Sequence, residues 1–548
     1  MEINTIDSQQ LAGMFLAGAK YLEAKKDHIN ELNVFPVPDG DTGTNMTMTI
    51  MSAAKAVHDL DNPDMKSVCK AISSGSLRGA RGNSGVILSQ LFRGFTKIIK
   101  TEDQLTVSIL SDACQKSCET AYRAVMKPKE GTILTVAKGI ADKAAELSTT
   151  TEDVVAFLGQ IVEHAQVVLD KTPDMLPVLK QAGVVDSGGA GLLEVLNGAY
   201  DYLCGKSIDL SFGEDKASQQ EEVQAPTLLY KTGFSIVTTD AFAAGIDAEI
   251  RSYLEGIGGN VTVKHSTHVI TVSLDTNEPG KAITRALKYG AITDVSVVNQ
   301  AAPKIETKAE EKSVETAPAK EETVSAEPAK DMGFVAVSIG DGLNEIFKGL
   351  GADYIIEGGQ TMNPSTADII DAIHKVNAKA VFVLPNNKNI VMAAKQAVEL
   401  VEDKQVIVLP TKTLPQGVTA LINFIPDQSV EENRERMEEE ITKVKTGEIT
   451  YAVRDTTIDD KEIHQGDYMG ITDQGISAVG QDIEKTFIEM LHTMVDEDSS
   501  LLSIYTGSDA KEEVTASLQE AIAKEFDSLE VELQTGGQPV YYYVVSVE

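Results

Sequence analysis

The segment NVFPVPDGDTGTNM (residues 33–46) lies between two stretches of helical spacing and holds two prolines, two glycines and two aspartates. Gly40 separates Asp39 from Asp41 and lets the chain turn, so that both carboxylates can reach one site. Carboxylates are the hard oxygen ligands that suit Mg²⁺. The following TGTN (42–45) offers hydroxyls and backbone N–H groups at a helix N-terminus, where the helix dipole favours an anion. Spacing alone leaves open an alternative, an Asx-rich turn that caps a helix.

A second segment, SGSLRGARGNSG (74–85), contains four glycines, three serines and two arginines ahead of an apolar stretch of helical character. We interpret it as a loop that leads into a helix, which is a typical phosphate cradle. It lacks the Gly-Lys-Ser/Thr of a P-loop and therefore predicts a different fold. A flexible surface loop is the alternative. EGTILT (130–135) and DSGGAG (186–191) are weaker signals, because glycines end helices in many proteins.

The composition excludes several classes of partner. The chain has 548 residues and a formal net charge of −35, so its surface repels nucleic-acid phosphates and anionic lipid headgroups. No run reaches the roughly 18 apolar residues that a membrane span needs. The N-terminal MEINTIDSQQLAGMF lacks the basic region and apolar core of a signal peptide. We therefore expect a cytoplasmic protein with no nucleic-acid partner and no integral membrane segment.

Two breaks in composition divide the chain into three domains. Residues 213–226 are polar, and residues 301–330 are rich in Glu, Lys, Ala and Pro. The second stretch is too polar to offset its ordering entropy, and we expect a flexible charged linker there. The remaining domains are 1–212, 227–300 and 331–548. Helical spacing predicts an all-α first domain, mixed patterns predict a small α/β middle domain, and alternating strands and helices predict an α/β third domain.

Together the four glycine-containing segments match a known family. PDGDTGTNM, GARGNSG, EGTILTV and GVVDSGGAG, in this order, resemble the L-type ATP-binding domain of dihydroxyacetone kinases. They are more similar still to the fatty acid kinase A subunit, or YloV-like, family. EGGQTMNPST (357–366), LPNNKNIVMAA (385–395), PTKTLPQG (410–417) and TYAVRDT (450–456) resemble the C-terminal domain of that family. The resemblance implies an N-terminal helical barrel closed around ATP and Mg²⁺, and a C-terminal domain of DegV-like architecture.

The resemblance also implies roles for individual residues. Asp39 and Asp41 are catalytic metal ligands, and Asn33 occupies the position nearest to that of a third, usually acidic, ligand. Arg81 is a catalytic candidate that neutralises transferring charge, with a structural contact as the alternative; Arg78 is a similar candidate. The implied ATP-binding residues are Thr42, Gly43, Thr44, Asn45, Met46, Asn83, Ser84, Gly85, Thr132, Asp186 and Gly188.

The middle domain departs from the family pattern. Relatives often carry a cysteine and a His-x-His pair suited to zinc, whereas this chain has Ser235, Ser273 and Asp275 at those positions. Because Zn²⁺ prefers Cys and His ligands, we predict no zinc there. His265 and His268 lie nearby, and without those partners we interpret them as surface residues of strands.

The family implies an acyl kinase that acts with a partner. A fatty acid carboxylate is ionised near pH 7 and needs no general base, so positioning and charge neutralisation are enough for catalysis. A DegV-like fatty-acid-binding protein presents the acyl chain in this family, and the kinase is expected to be a homodimer. A small polyol or dihydroxyacetone-type kinase and a nucleotide-binding regulatory protein are the alternatives.

The charged linker generates the first prediction. Deleting about ten residues within 306–327 should change the melting temperature by less than about 2 °C, because loop length enters the closure entropy only logarithmically. Differential scanning calorimetry measures this. A deletion of about ten residues within the helical pattern at 151–169 is the control and should unfold the chain. A large loss of stability from the linker deletion would show that the linker is packed.

Overall fold

Helices account for the N-terminal part of the structure, a computed structural model. The structure describes residues 3–34, 40–125, 127–211, 230–237, 246–255, 257–265, 269–277, 279–299, 330–359, 362–452, 455–458 and 461–548, and all structural statements concern these residues. Asp39, His268 and residues 301–329 of the expected linker lie outside them. The N-terminal helices are α1 (Ser8–Glu31), α2 (Thr42–His58), α3 (Met65–Gly79), α4 (Gly82–Ile99), α5 (Val107–Ala124), α6 (Ile133–Leu147), α7 (Val154–Asp170), α8 (Thr172–Met175), α9 (Pro177–Ala182) and α10 (Ser187–Leu203).

These helices close into a ring. Helix α1 begins at a capping box, in which Asp7 accepts from the Gln10 backbone N–H and the Gln10 side chain accepts from the Asp7 N–H. Each helix from α1 to α7 packs against the next, and α10 contacts both α7 and α1. Their apolar faces form one shared core that includes Leu22, Ile50 and Phe157. The expected all-α helical barrel is therefore confirmed.

The interpretation of residues 74–85 as a loop was wrong. Residues 74–79 belong to α3 and residues 82–85 to α4, so that only Ala80 and Arg81 connect the two helices. The glycines serve close packing: a Cβ atom on Gly75 would lie 2.6 Å from the Cα of Ala53 in α2, and one on Gly79 would collide with Ser52. Composition suggested flexibility because it does not show which helix lies against a glycine.

The described residues between 230 and 299 belong to a separate compact unit with an α/β fold. Its elements are β1 (Tyr230–Val237), α11 (Ile246–Glu255), β2 (Gly258–His265), β3 (Val269–Thr276), α12 (Pro279–Ala286) and β4 (Ala291–Asn299). The strands pair antiparallel in the order β2-β3-β1-β4. Phe234, Ile236 and Val272 of the sheet pack with Ile250 and Leu254 of α11 in its core.

The C-terminal part contains two sheets. The first is parallel, in the order β6-β5-β7-β8, as the alternating pattern predicts. Its elements are β5 (Lys330–Ser338), α13 (Asp341–Gly349), β6 (Tyr354–Glu357), α14 (Thr366–Lys375), β7 (Ala378–Leu384), α15 (Val391–Val398), β8 (Gln405–Val408), α16 (Leu414–Ile422) and α17 (Val430–Ile441). Strand β7 is buried almost throughout, which is typical of a parallel sheet covered by helices on both faces.

The second sheet is mixed and has the order β13-β12-β9-β16-β14-β15. The remaining elements are β9 (Lys445–Tyr451), β10 (Thr456–Ile458), β11 (Lys461–Ile463), β12 (Tyr468–Thr472), β13 (Gly475–Gly480), α18 (Ile483–Met494), β14 (Leu501–Thr506), α19 (Glu512–Glu525), β15 (Glu530–Thr535) and β16 (Tyr543–Val547). Strands β10 and β11 form a separate antiparallel pair. Among the described residues, no helix is both long and apolar enough to span a membrane.

The helical ring and the C-terminal domain share an apolar core. The described residues within 3–211 and 330–548 form one compact unit. Ala80 and Val86, 0% and 2% exposed, belong to the same buried cluster as Ile369 and Ile390 of the C-terminal domain. The buried Gln396 of α15 donates to the Leu77 carbonyl (2.6 Å) and accepts from the Gln90 amide (3.1 Å). Separating these two parts would expose apolar surface and leave buried polar groups without partners.

Candidate phosphate-binding site

The start of helix α2 is capped by a residue from another helix. Asp41 is the N-cap residue, but its side chain makes no capping hydrogen bond. Instead, Asn30 of α1 accepts from the Thr44 backbone N–H (3.0 Å) and donates to the Thr44 hydroxyl (3.0 Å). Gly43 permits this arrangement, because a Cβ atom there would collide with the Lys26 carbonyl. The Asp41 carboxylate is thereby released from the role that an N-cap aspartate usually has.

The released Asp41 carboxylate meets a residue of the C-terminal domain. The Asn363 amide donates to Asp41 Oδ2 at 2.7 Å, and its nitrogen lies 3.5 Å from Asn45 Oδ1. The backbone carbonyl of Asn363 accepts from Arg81 Nη1 at 2.7 Å. Asn363 is 5% exposed, whereas Asp41 and Arg81 are partly exposed, so both bonds are partly shielded from water. One residue of the C-terminal domain therefore joins two predicted catalytic residues of the helical ring.

The N-terminus of α4 packs tightly against α2. The Arg81 backbone N–H donates to the Thr49 hydroxyl at 3.2 Å. Gly85 lies so near to α2 that a Cβ atom would collide with the Thr49 hydroxyl. Gly82 has a left-handed backbone with a φ of 58°, which favours glycine, and it lies beside the Asn45 side chain. The first two predicted segments thus meet in space.

Asp186 joins the N-termini of two further helices. It is the N-cap of α10 and accepts from the Gly189 N–H at 2.7 Å, and its carboxyl also accepts from the Ile133 N–H at the start of α6. Its own N–H donates to the Thr172 hydroxyl at 3.0 Å. Burial raises the pKa of Asp186 to about 7, against the lowering effect of these two backbone donors. The third and fourth predicted segments therefore meet at this carboxyl group.

Contacts between α2 and α10 complete the cluster. A Cβ atom on Gly191 would lie 2.7 Å from the Met46 sulfur, so α10 approaches the first turns of α2 closely. The N-terminal ends of α2, α4, α6 and α10 are consequently linked in series through Asn45, Met46 and Asp186. Helix N-termini carry partial positive charge and unsatisfied N–H donors. Their grouping forms a region suited to a polyanion such as a nucleotide phosphate chain.

Both arginines of the second segment lie at one groove. Together with Met48, Met51 and Ser365, they line an open groove of about 330 Å³ between the helical ring and the C-terminal domain. Arg81 Nη2 forms an ion pair with Asp368 at 3.3 Å, in addition to its bond with the Asn363 carbonyl. Arg78 is exposed. Arg81 therefore makes an interdomain contact, the structural alternative that the sequence left open.

The donor atoms of the cluster fit a bound cation and phosphate. Asp41 provides a carboxylate that is not used in capping. Asn83 donates to Asn389 of the C-terminal domain at 3.2 Å, while its buried Oδ1 atom accepts no hydrogen bond in the described part of the chain. Asn33, two residues beyond the end of α1, is 2% exposed. These groups are oxygen donors, which Mg²⁺ prefers. A buried acceptor without a partner points to a group that a ligand would satisfy.

Comparison with known proteins identifies the family. Residues 36–201 match the family described as DAK2 domain, and residues 333–548 match the one described as fatty acid kinase A-subunit-like, C-terminal. The chain is 41% identical over 561 residues to Protein YloV of Bacillus subtilis (strain 168), with 100% of both chains covered.

This chain belongs to the YloV-like family of fatty acid kinase A-subunit-like proteins.

Other relatives agree with this assignment. An uncharacterized protein of Staphylococcus aureus (strain USA300) is 39% identical over 558 residues, again with 100% of both chains covered. The family resemblance inferred from the sequence motifs is confirmed, and the chain is a member of a kinase family.

Solved structures show more distant similarity. The dihydroxyacetone kinase from C. freundii in complex with AMP-PNP and Mg²⁺ has 17% identity and a TM-score of 0.29, with 36% of this chain and 34% of that kinase covered. DegV, a fatty acid binding protein from Bacillus subtilis, has 10% identity and a TM-score of 0.30, with 40% of this chain and 99% of DegV covered. Similarity at this level carries no information about a substrate.

Most of the predicted site residues of this family member lie at helix N-termini. Thr42, Gly43, Thr44, Asn45 and Met46 occupy the first turns of α2, Asn83, Ser84 and Gly85 the first turn of α4, Thr132 the N-cap of α6, and Asp186 and Gly188 the start of α10. Their roles in ligand binding remain predictions. The sequence motifs did not include Asn30, which no local pattern distinguishes, and gave no role to Asn363, which lies within the C-terminal segment 357–366 that resembles the family.

The three positions at which this chain departs from the Cys and His pattern of relatives, Ser235, Ser273 and Asp275, lie on paired strands in the middle unit. Strands β1 and β3 pair antiparallel, with Ser235 opposite Thr271 and Gly233 opposite Ser273. Asp275 lies opposite Lys231 in the same register. Ser273 and Asp275 therefore lie two and four residues along β3 from the partner of Ser235. The absence of zinc remains a prediction from the residue types.

Asp186 predicts an unusual dependence of stability on pH. Its folded pKa of about 7 exceeds the ordinary 3.8, so the folded state holds a proton that the unfolded state releases between these values. Stability should therefore fall as pH rises from about 5 to about 7, because over this range the unfolded state releases a proton that the folded state keeps. Asp186→Asn keeps a capping oxygen without the charge. The variant should gain roughly 1–3 kcal/mol relative to the parent over this range.

Asp64→Asn is the matched control for this measurement. Asp64 caps α3 through Ser67, and those hydrogen bonds lower the pKa of its carboxyl. Asp64 is therefore ionised in both the folded and unfolded states between about pH 5 and about pH 8, and the effect of its substitution should not vary with pH. Thermal unfolding of the ligand-free chain in EDTA measures both variants. Parallel pH profiles for the parent and Asp186→Asn would contradict the prediction.

Proposed function

We propose that this chain transfers the γ-phosphoryl group of ATP, with Mg²⁺, to the carboxylate of a fatty acid presented by a separate fatty-acid-binding protein. The product is an acyl phosphate for phospholipid synthesis. The observation that carries the proposal is the grouping of four helix N-termini beside Asp41, whose carboxylate is free of its capping role. Membership in the YloV-like family, with its fatty acid kinase type of C-terminal domain, supports the acyl substrate.

The helix N-termini suit the phosphates of ATP. Backbone N–H groups at the starts of α2, α4, α6 and α10 are preorganised donors that need no rearrangement during the reaction. We assign Thr42, Gly43, Thr44, Asn45 and Met46, with Asn83, Ser84 and Gly85, to the phosphate chain. Thr132, Asp186 and Gly188 complete the nucleotide site. Asp186 orients α6 and α10, since it accepts from both helices.

Oxygen ligands for the metal come from the first segment. We assign Asp39 and Asp41 as metal ligands, with Asn33 as a neutral third oxygen donor. When bound, Mg²⁺ would neutralise charge on the phosphates and hold them in line with the acceptor. Arg81 and the exposed Arg78 add positive charge at the adjoining groove. Asn83, in the first turn of α4, offers a further buried oxygen acceptor.

The proposed acceptor carboxylate needs little from the protein beyond correct placement next to the γ-phosphate. A fatty acid carboxylate is ionised near pH 7, and one of its oxygens attacks the γ-phosphorus while ADP departs with the bridging oxygen. No proton is abstracted, so no general base is required. A polyol acceptor carries a hydroxyl proton and would require a base. The match to the DAK2 domain keeps this second acceptor class as an alternative.

The metal assignment generates a direct test. Asp41→Ala should reduce phosphoryl transfer by more than about a thousandfold, because it removes charge neutralisation of the transferring group. ADP release in the presence of Mg²⁺ and a loaded fatty-acid-binding protein measures the rate. Asp61→Ala, an exposed aspartate beyond α2, is the control and should match the parent. Turnover at the parent rate by a folded Asp41→Ala protein would show that the metal assignment is wrong.

A separate carrier fits the described surfaces. An acyl chain needs a long apolar pocket, whereas the groove beside Arg81 is open and contains two arginines. With a net charge of −35, the chain is repelled by an anionic membrane and is poorly suited to collect fatty acid there. A DegV-like carrier that covers the acyl tail and exposes the carboxylate would supply the positioning. We propose residues 331–548 as its docking domain, and a cytoplasmic homodimer as the working assembly.

The carrier requirement is tested on the full chain, because the helical ring and the C-terminal domain share a core. With ATP, Mg²⁺ and free fatty acid, the chain alone should form acyl phosphate at least about tenfold more slowly than with a loaded carrier. Hydroxylamine trapping detects the product. A parallel reaction replaces the fatty acid with dihydroxyacetone and contains no carrier. Rapid phosphorylation of free fatty acid by the chain alone would overturn the carrier requirement, and rapid phosphorylation of dihydroxyacetone would favour the polyol kinase.

A further inference from the structure

We infer that the C-terminal domain completes the metal site, with Asn363 as a positioning residue for Asp41. This inference rests on the proposed function, in which Asp41 is a metal ligand. The two residues are separated by 322 positions along the chain, and the Asn363 amide donates to Asp41 Oδ2 at 2.7 Å. Hydrogen bonds of this kind fix the orientation of a ligating carboxylate and tune its affinity for the metal.

The chemistry of the pair determines which way the amide points. An ionised carboxylate can only accept hydrogen bonds, so the group of Asn363 that faces Asp41 must be its NH₂. This bond occupies one oxygen of Asp41 and leaves the other oxygen for a cation. Asn363 is a neutral donor and therefore adds no charge that competes with a metal. A lysine or arginine at the same place would neutralise Asp41 and weaken cation binding.

Asn363 is held in a constrained loop. Gly359 donates its backbone N–H to the Met362 carbonyl at 2.9 Å, and both Gly358 and Gly359 have positive φ angles of 146° and 104°. After Asn363 and Pro364, Ser365 begins α14 with a capping box that includes Asp368. The loop is therefore anchored on both sides of Asn363. Such support keeps a positioning group within the small tolerance that metal ligation requires.

Further contacts hold this loop against the helical ring. The Thr366 N–H donates to the Ala80 carbonyl at 3.1 Å, and Arg81 binds both the Asn363 carbonyl and Asp368. Ala80 and Val86 are buried with the C-terminal core just behind these polar contacts. Asn363 thus lies in a buried interface that hydrogen bonds and an ion pair hold on its C-terminal side. Asn30 takes over the capping of α2, and Asn363 of the C-terminal domain orients the Asp41 carboxylate.

The test measures metal binding to the full chain without turnover. Mg²⁺ is titrated by calorimetry in the presence of a non-hydrolysable ATP analogue, and the analogue is titrated separately in EDTA. Asn363→Leu retains the branched shape and the number of side-chain heavy atoms but donates no hydrogen bond. We expect it to lower Mg²⁺ affinity by about 10- to 100-fold, while metal-free analogue binding stays within about twofold of the parent.

Gln396→Leu is the matched control. It removes buried amide hydrogen bonds from the same interface, to Leu77 and Gln90, without touching Asp41. We expect its Mg²⁺ affinity to stay within about threefold of the parent value. Near-parent affinity for Asn363→Leu, or an equal loss in Gln396→Leu, would overturn the positioning role, because the effect would then be absent or would reflect the interface as a whole.

Asp41→Ala separates the inference from the proposed function. If Asp41→Ala loses Mg²⁺ binding and Asn363→Leu does not, only the positioning role fails. If Asp41→Ala binds Mg²⁺ as the parent does, the metal assignment itself fails. Circular dichroism melting curves for all three variants establish that each is folded. The inference stands when Asp41→Ala and Asn363→Leu lose Mg²⁺ affinity and Gln396→Leu keeps it.

Discussion

Helix α2 begins at Asp41, and the side chain of Asn30 takes over the capping that Asp41 would ordinarily provide. A carboxylate at an N-cap position normally turns back onto the N–H groups of its own helix. Because Asn30 already satisfies the Thr44 N–H, the Asp41 carboxylate can face outward without leaving that donor unpaired. The proposed metal site, the contact with Asn363 and the orientation of the phosphate region all depend on this exchange of hydrogen-bonding partners.

Close helix packing brings the four glycine-containing segments together. Gly43, Gly85 and Gly191 each lie where a Cβ atom would collide with, or press against, a neighbouring helix. Their lack of a side chain lets the start of α2 approach the C-terminal turns of α1, and lets α2 approach the N-terminal turns of α4 and α10. The glycines thus permit close contact between helices and bring together the helix ends of the proposed phosphate-binding region, which larger side chains would hold apart. Asp186 performs the corresponding task for α6 and α10 with hydrogen bonds in place of close contact.

The shared core of the helical ring and the C-terminal domain has consequences for both stability and chemistry. Burial of Ala80 and Val86 with C-terminal residues provides apolar contact, and Gln396 satisfies polar groups that this contact removes from water. The exposed pair of Arg93 with Glu399, at 3.1 Å, contributes little, since surface ion pairs are typically worth at most about 1 kcal/mol. The interface is therefore held mainly by its buried part, which is the part nearest to Arg81 and Asn363.

The sequence by itself determined the fold classes, the family and most of the candidate site. Apolar periodicity identified helices in residues 1–212 and a parallel sheet after residue 331, because each element must bury one face. Motif order identified the family, since four segments at consistent spacing rarely occur together by chance. The interpretation of residues 74–85 as a loop failed because glycine and serine content is the same in a flexible loop and in a tightly packed helix.

Only the tertiary structure decided which residues complete the site. Asn30 and Asn363 are ordinary polar residues in the sequence, and nothing in their neighbours marks them as partners of α2. Their roles arise from long-range contacts, across 14 residues for Thr44 with Asn30 and 322 for Asp41 with Asn363. Local patterns record which face of an element is buried, but they do not record which other element covers it. Hydrogen-bond partners at an interface are therefore determined by packing.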